Sequence, residues 1–76
     1  MKLSRYTKIS IDCNNDMSEI ERICELADLY GLEDLNENET YHDIPKYVNV
    51  NFEERDFCAS KSEWYNTIID SQEITE

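Results

Sequence analysis

The sequence predicts an α+β fold in which a small two- or three-stranded sheet packs against two helices, in the order β-α-β-α. Two segments, residues 5–13 and 47–52, alternate apolar and polar side chains with the period of a β-strand. Two others, residues 17–30 and 61–70, place their apolar side chains on one side of a helix. A chain of 76 residues accommodates one core, so residues 1–76 are interpreted as a single small domain.

The first predicted strand, residues 5–13, is expected to be half-buried. Its inward side is formed by alternate residues, Thr7, Ile9, Ile11 and Cys13. The side chains between them are mainly polar, which is typical of a strand with one face in solvent. Asn14 and Asn15 then form a turn that is short enough to bring the next element back onto the inward side of the strand.

The next segment predicts an amphipathic helix over residues 17–30. At about 100° per residue, its apolar side chains share one narrow sector: Ile20, Ile23, Ala27 and Tyr30. Asn15 or Asp16 is suited to cap the helix N-terminus, and Gly31 to adopt the left-handed conformation after its end. Leu29 points away from the apolar sector.

Residues 32–45 are expected to form a long loop, which is unusual in so small a domain. A helical turn at residues 33–36 would order part of it, and a short strand at residues 40–44 would add a third strand to the sheet. The second strand, residues 47–52, alternates most cleanly, with Val48, Val50 and Phe52 predicted to point inward. The pattern leaves the relative direction of the strands open.

The second predicted helix covers residues 61–70. The segment Ser60-Lys61-Ser62-Glu63 matches the S-x-x-E capping box that begins many helices. Trp64, Tyr65 and Ile68 then share one helical face, and Phe57 keeps the same phase, so the helix begins at residue 54 in an alternative interpretation. The polar residues 71–76 are expected to fray.

Negative charge is concentrated in residues 16–39. This segment holds nine carboxylates and one base, Arg22, so its net formal charge is −8, most of the −11 of the whole chain. Glu21, Glu25 and Asp28 form a line on the first helix, about 4.5 to 6 Å apart along its axis. This sign of charge argues against direct binding to nucleic acid or to anionic membranes.

No residue pattern predicts an enzyme, a metal site or a cofactor. Two stretches that begin at Asp12 and Asp34 have the oxygen spacing of a calcium loop, but both lack its glycine and its final glutamate. The one histidine, His42, lies in a polar segment with no local partner typical of catalysis. The three cysteines are odd in number and lack CxxC spacing, so they are interpreted as reduced thiols in a cytoplasmic protein of a bacterial host cell.

We therefore expect a small acidic inhibitor protein that binds a basic protein partner and does not bind nucleic acid directly. It would mimic nucleic acid and block the basic groove of a nucleic-acid-binding defence or repair enzyme. The candidate partner-binding residues are the acids of the segment and the neighbouring apolar or aromatic side chains, Glu21, Glu25, Asp28, Leu29, Glu33, Asp34, Glu37, Glu39, Tyr41 and Asp43. Leu35 and Tyr47 are further candidates for recognition by shape.

In size, acidity and composition the chain resembles small phage-encoded inhibitors, a class that includes anti-CRISPR, anti-restriction and uracil-glycosylase inhibitor proteins. That resemblance implies a non-catalytic protein that acts through protein–protein interaction. Two alternatives stay open at this point. One is an immunity or antitoxin protein that neutralises a basic nuclease toxin, and the other is a non-catalytic adaptor whose acidity is incidental. The oligomeric state is also open.

Overall fold

One α-helix and a five-stranded mixed sheet make up the regular structure of residues 1–36 and 43–75, the part of the chain that the computed structural model describes. The strands are β1 (Lys8–Asp12), β2 (Glu33–Asp34), β3 (Tyr47–Asn51), β4 (Asp56–Ser60) and β5 (Ile68–Asp70), and the helix is α1 (Met17–Leu29). Two 3₁₀ turns, Leu3–Arg5 and Ser71–Glu73, lie near the two ends of the chain. Across the sheet the order is β2-β4-β3-β1-β5.

The first predicted helix and the two predicted strands are confirmed. Helix α1 begins after Asp16, whose side chain accepts a hydrogen bond from the Ser18 N–H, and is followed by Gly31 with a positive φ of 79°. Strands β1 and β3 pair antiparallel, with Ile9 opposite Val50 and Ile11 opposite Val48. The local alternation and helical spacing were sufficient to locate these three elements.

The predicted small sheet with two helices is wrong, and the second helix is the main error. Residues 61–67 are irregular, and the following residues form β5, which pairs parallel to β1. The backbone N–H groups of Trp64 and Tyr65 donate to the Ser10 side chain instead of to carbonyls one helical turn back. A ten-residue amphipathic segment gains little from helix formation alone, and these contacts across the sheet outweigh that gain.

The capping-box pattern has a different role in the structure. Ser60 is the last residue of β4, and its Oγ accepts a hydrogen bond from the Ser62 N–H at 3.2 Å, which closes a turn. Strand β4 pairs antiparallel with β3, so that Phe57 lies opposite Val50. The sequence predicts a connection at residues 53–58 with Phe57 as an apolar anchor, or a helix that begins at residue 54, and both predictions are wrong because residues 56–60 form β4. Residues 56–60 form a strand because they pair with β3.

The core lies between α1 and one face of the sheet. The sheet contributes fully or almost fully buried side chains, Ile9, Ile11, Val48, Val50, Phe57 and Ala59. The helix contributes Ile20, Ile23, Leu26 and Ala27. Each large aliphatic or aromatic side chain removed from water in this way contributes about 1.5–3 kcal/mol before the entropic cost of folding.

The second face of the sheet is also covered near its centre. The predicted burial of the first strand is confirmed at Ile9, Ile11 and Cys13 and wrong at two positions, since Ser10 is buried and Thr7 is exposed. Ser10, Asn49 and Asn51 point to this face and are almost completely buried. Residues 61–67, which we call the strap, lie over them. The strap satisfies these polar groups by hydrogen bonds from its backbone and side chains, which is why polar residues are tolerated inside the sheet.

The segment after α1 is predicted from the sequence to contain a helical turn at residues 33–36 and a short strand at residues 40–44. The helical turn expected at residues 33–36 is wrong, because Glu33 and Asp34 form β2, parallel to β4. Asn36 continues this pairing through its side chain: its Oδ1 accepts from the Ala59 N–H at 2.6 Å, and its Nδ2 donates to the Ala59 carbonyl at 3.3 Å. The strand expected at 40–44 falls largely outside the described residues, and within it Asp43 and Ile44 are irregular.

The C-terminal residues 71–75 are fixed against α1 instead of frayed. Ile74 is buried in the core beside Leu3, and Lys2 forms a parallel bridge with Thr75. Arg22 donates from its guanidinium to the carbonyl oxygens of both Ser71 and Ile74. Glu19 adds to this attachment, because its Oε1 accepts from the Ser71 hydroxyl at 3.2 Å and from the Gln72 side-chain amide at 3.1 Å.

Candidate partner-binding face

The outer side of α1 carries the predicted line of carboxylates. Glu21, Glu25 and Asp28 are exposed, as the helical spacing predicts for residues opposite the buried apolar sector. Leu29 follows them and is the most exposed large apolar side chain in the described chain, with 78% of its surface accessible. The helix therefore presents charge and one apolar group side by side.

Strand β2 brings a second set of acids next to the helix. Glu33 is exposed and Asp34 half-buried, and both lie on the edge strand that contacts α1. An open depression of about 300 Å³ separates the two elements; its lining residues are Cys24, Glu25, Asp28, Asp34 and Phe57. We call it the α1–β2 groove. The carboxylates of Glu25 and Asp34, nine residues apart in sequence, thus border the same groove. The spacing of the acids in the sequence did not predict that they lie together.

A second, smaller depression lies on the other side of the Glu25 side chain. It measures about 170 Å³ and is lined by Arg22, Glu25, Leu26 and Leu29. Glu25 therefore stands between two hollows, and Leu29 borders one of them. Together, Glu21, Glu25, Asp28, Leu29, Glu33 and Asp34 form what we call the acidic face.

Two bases lie near the acidic face: Arg22 pairs with another acid, Glu19, and Arg55 lies at the end of the face. Arg22 is bound to Glu19 at 2.7 Å, and this hydrogen bond, with the charge of the guanidinium, lowers the pKa of Glu19. The Arg55 guanidinium lies 3.6 Å from the point where a Cβ at Gly31 would sit, at the C-terminal end of α1. Among the described residues, the ion pairs within 4.0 Å involve other acids, Asp12, Glu19, Asp43 and Glu53.

The remaining predicted contact residues are not brought onto this face. Asp43 pairs with Lys61 at 2.7 Å, and this hydrogen bond and charge lower the pKa of the Asp43 carboxyl. Glu37, Glu39 and Tyr41 lie outside the described residues. The two further candidates are placed differently: Leu35 is 44% exposed next to β2, whereas the half-buried Tyr47 carries the Lys46 ammonium 5.3 Å above its ring.

The calcium-like stretches are occupied by local hydrogen bonds. Asp12 Oδ1 accepts from the Asn14 N–H at 2.9 Å, and Asp16 caps α1. Asp34 Oδ1 accepts from the Asn36 N–H at 2.8 Å. Within residues 1–36 and 43–75 there is no group of three or more His, Cys, Asp or Glu side chains placed to hold a metal ion.

Burial makes two of the three thiols poor nucleophiles. Cys13 is fully buried and Cys24 half-buried, and burial raises the pKa of each thiol to about 12. Both are therefore protonated at neutral pH, in a form that neither attacks substrates nor binds soft metals. Cys58 is half-buried on β4, and His42, the other residue considered for catalysis, lies outside the described part of the chain.

The polar cluster beneath the strap is a feature that sequence reasoning missed. Asn49 Oδ1 accepts hydrogen bonds from the Ser10 hydroxyl at 2.6 Å and from the Trp64 N–H at 3.0 Å. Its Nδ2 donates to the Ser62 carbonyl at 3.1 Å. One signal pointed to this cluster: Asn49 and Asn51 stand in a strand, where asparagine is disfavoured unless its amide finds partners.

In the described residues, the fold and the acidic face together define a class, an α+β domain with one α-helix and a strongly acidic surface on that helix and on the edge strand. The chain matches no protein-family model, no curated protein and no solved structure. The helix in the described residues is too short and too polar to cross a membrane.

Proposed function

We propose that this protein is a small inhibitor that mimics nucleic acid and blocks the basic groove of a nucleic-acid-binding defence or repair enzyme. The observation that carries the proposal is the acidic face, on which carboxylates of α1 and β2 surround one groove with an exposed leucine beside them. The proposed setting is the cytoplasm of a bacterial host cell, with the protein supplied by a phage.

The spacing of the acids supports mimicry of a phosphate backbone. Glu21, Glu25 and Asp28 repeat every 4.5 to 6 Å along the helix axis at about 1.5 Å per residue. One strand of duplex DNA carries a charge about every 3.4 Å, and β2 adds Glu33 and Asp34 alongside. A groove lined with lysine and arginine would therefore meet a comparable field, and association would be fast and sensitive to salt.

Leu29 supplies recognition that charge alone cannot. Leu29 is exposed next to carboxylates, and an apolar group that a partner covers adds recognition by shape to recognition by charge. In the complex it would lie in an apolar part of the target beside the basic residues. L29S is therefore expected to weaken binding of the target while leaving stability within about 0.5 kcal/mol, because the side chain is exposed.

The experiment that tests the proposal is affinity capture from a bacterial lysate, with elution by a salt gradient and with excess duplex DNA as competitor. A nucleic-acid-binding enzyme that is retained, eluted by salt and displaced by DNA supports the proposal. The same enzyme, once purified, should then be inhibited by the protein in its nucleic-acid-binding assay.

A matched pair of variants separates the acidic face from net charge. E21K/E25K/D28K changes the face, whereas E53K/E63K/E73K makes the same change in net charge at exposed acids elsewhere. We expect the first variant to lose capture and inhibition and the second to retain most of both. Equal losses in the two variants, or inhibition that survives in the first, would contradict the proposal, provided that circular dichroism shows both variants to be folded.

A further inference from the structure

We infer that two copies of this chain associate through strand β5 and form a dimer with one continuous sheet. In this dimer β5 of one copy pairs antiparallel with β5 of the other across a two-fold axis. The contact lies at the edge of the sheet opposite to β2 and the acidic face, so it is independent of the proposed function.

The two edges of the sheet differ in length and in charge. At one edge β2 has only two residues, Glu33 and Asp34, and both are acids. At the other edge β5 contains Ile68 and Ile69, and its one acid, Asp70, is the last residue. Edge strands that are short or charged are protected against pairing with another chain. By this criterion β2 is protected, whereas β5 is open to an added strand.

The backbone of β5 presents hydrogen-bonding groups along its outer side. Among the described strands, β5 pairs with β1 alone. The Ser10 N–H donates to the Thr67 carbonyl oxygen at 2.8 Å, and alternate residues of a strand bond to the same neighbour. The backbone groups of Ile69 therefore face β1, whereas those of Ile68 face outward. Ile68 thus offers one donor and one acceptor to an added strand.

Two large apolar side chains are exposed beside this edge. Ile68 pairs with Ser10 across the ladder between β1 and β5, and it is 46% exposed. The Trp64 N–H donates to the Ser10 Oγ at 3.1 Å, and the Trp64 side chain is 48% exposed. Both residues therefore lie next to Ser10, on the face of the sheet that the strap covers. A strand added to β5 would cover Ile68 and bring apolar surface close to Trp64.

The charge distribution indicates that the added strand belongs to a second copy of this chain. Copies that meet across a two-fold axis bring the same surface together, so a chain with a net charge of −11 self-associates best where its surface is uncharged. Residues 64–69 are one of two uncharged runs of six in the sequence. The other, residues 47–52, includes the central strand β3, which is already paired on both sides.

An antiparallel pairing centred on Ile68 keeps the acids of the two copies apart. With Ile68 opposite the same residue of the second copy, Asp70 lies opposite Asn66 and not opposite another carboxylate. Strand β2 lies four strand spacings from β5, about 19 Å, which is more than twice the Debye length of about 8 Å at physiological salt. Each copy therefore keeps its β2 acids at an outer end of the dimer.

Sedimentation equilibrium of the 76-residue protein, from micromolar to millimolar concentration, tests the inference. We expect the mass to rise from that of one chain to that of two. The dimer fraction should be larger at about 1 M than at about 0.15 M sodium chloride, because salt screens the repulsion between the two copies. Binding of a basic target should respond to salt in the opposite direction, so the two associations are distinguishable.

A charge at position 68 should act on both copies at once. I68K places two like charges opposite each other on the two-fold axis, so it should weaken the dimer by about tenfold or more. I68E should do the same, and an equal mixture of I68K and I68E copies should recover a mixed dimer. The matched control is I44K, the same change at a 47% exposed isoleucine outside the sheet, which should leave the dimer intact.

Hydrogen exchange identifies the backbone contact. The Ile68 amide should exchange more slowly at concentrations where the dimer is populated, whereas the Ile69 amide, which faces β1, should be protected at every concentration.

A protein that stays monomeric at millimolar concentration and high salt would overturn the inference. So would a dimer that survives I68K, a loss of dimer in I44K equal to that in I68K, or an Ile68 amide whose exchange ignores concentration. A monomeric protein in which I68K abolishes capture of a target would assign this edge to another protein and not to a second copy. None of these results bears on whether the acidic face binds a nucleic-acid enzyme.

Discussion

Asn49 stands at the centre of the sheet, where an apolar residue would be the usual choice, and its amide makes three hydrogen bonds, two of them to the strap. Those two involve the Trp64 N–H and the Ser62 carbonyl, and the third is accepted from the Ser10 hydroxyl on β1. Arg22 is a comparable residue on α1, because its guanidinium holds Glu19 and two backbone carbonyls of the C-terminal segment. In both cases a single polar side chain joins parts of the chain that are far apart in sequence.

Replacing Asn49 with alanine should destabilise the protein by about 1–3 kcal/mol, because the buried Ser10 hydroxyl and Ser62 carbonyl lose their partner. Urea denaturation followed by Trp64 fluorescence measures the change. The control is N66A, at an exposed asparagine of the strap, which is expected to stay within about 0.5 kcal/mol of the original protein. Equal stability of N49A and N66A would show that the buried amide contributes nothing.

Replacing Arg22 with methionine should destabilise the protein and alter its response to acid. The pKa of Glu19 is lowered in the folded state, so its contribution is fully present above the unfolded pKa of about 4.3 and is lost as pH falls through the folded pKa. R22M removes the hydrogen bond that is the main cause of this shift. Urea midpoints measured from neutral pH to below about 4.3 should therefore fall less steeply in R22M.

The matched control for Arg22 is K61M. Lys61 lowers the pKa of Asp43 in the same way, but both side chains are about two-thirds exposed, so solvent screens the pair and little stability depends on it. K61M should leave the urea midpoint at neutral pH nearly unchanged. A larger loss in K61M than in R22M would show that the C-terminal contacts of Arg22 are unimportant.

At the scale of elements, the strap takes the place that a second helix would have on the sheet. It has no regular hydrogen bonding of its own, and yet the Trp64 and Tyr65 N–H groups bond to the Ser10 hydroxyl oxygen at 3.1 and 3.0 Å. Trp64 itself is 48% exposed, so the strap is attached by its backbone more than by its largest side chain. Strand β5 follows directly and completes the edge of the sheet beside β1.

Hydrogen exchange should reveal this attachment. The amides of Trp64 and Tyr65 are expected to exchange more slowly than those of Glu63 and Asn66, because buried hydrogen bonds must open before exchange. In S10A, which removes the shared acceptor, protection should drop more at Tyr65 than at Trp64, because the Trp64 N–H also donates to Asn49 Oδ1, while amides in α1 keep theirs. Uniform exchange along the strap of the original protein would contradict the observed contacts.

At the scale of the whole molecule, the net charge of −11 on 76 residues opposes the compact state. The acids of α1 and β2 concentrate this repulsion on one side of the molecule. The nearby Arg22 is already paired with another acid, Glu19. The charge repulsion that destabilises the free protein is reduced when a basic partner covers this surface. The same charge distribution therefore underlies both the proposed function and a measurable weakness of the isolated domain.

Added salt should raise the thermal stability. Going from about 0.01 M to about 1 M sodium chloride shortens the Debye length from about 30 Å to about 3 Å and screens the repulsion. E21K/E25K/D28K should lose more of this salt dependence than E53K/E63K/E73K, although each raises the net charge by six. Calorimetric Tm values at several salt concentrations provide the comparison, and equal slopes would show that the repulsion is not localised.

The local pattern was sufficient for α1, β1 and β3, because helical spacing, capping and alternation are properties of neighbouring residues. It also placed Glu21, Glu25, Asp28 and Leu29 on an exposed helix face, which the structure bears out. It was misleading for the strap, where a capping-box pattern and three apolar residues in helical phase occur without a helix. It could not bring Asp34 to Glu25 and Asp28, because that requires β2 to pair with β4.

Neighbouring residues thus specify the acidic helix, its caps and the two central strands. Long-range pairing determines the conformation of the rest of the chain. Ser10 and Trp64 are 54 residues apart, and Arg22 and Ile74 are 52 apart. Short segments such as β2, β5 and the strap have too few local interactions to choose a conformation by themselves. Their conformation is set by the sheet edges and buried polar groups that they satisfy, which exist only once β1, β3 and β4 have come together.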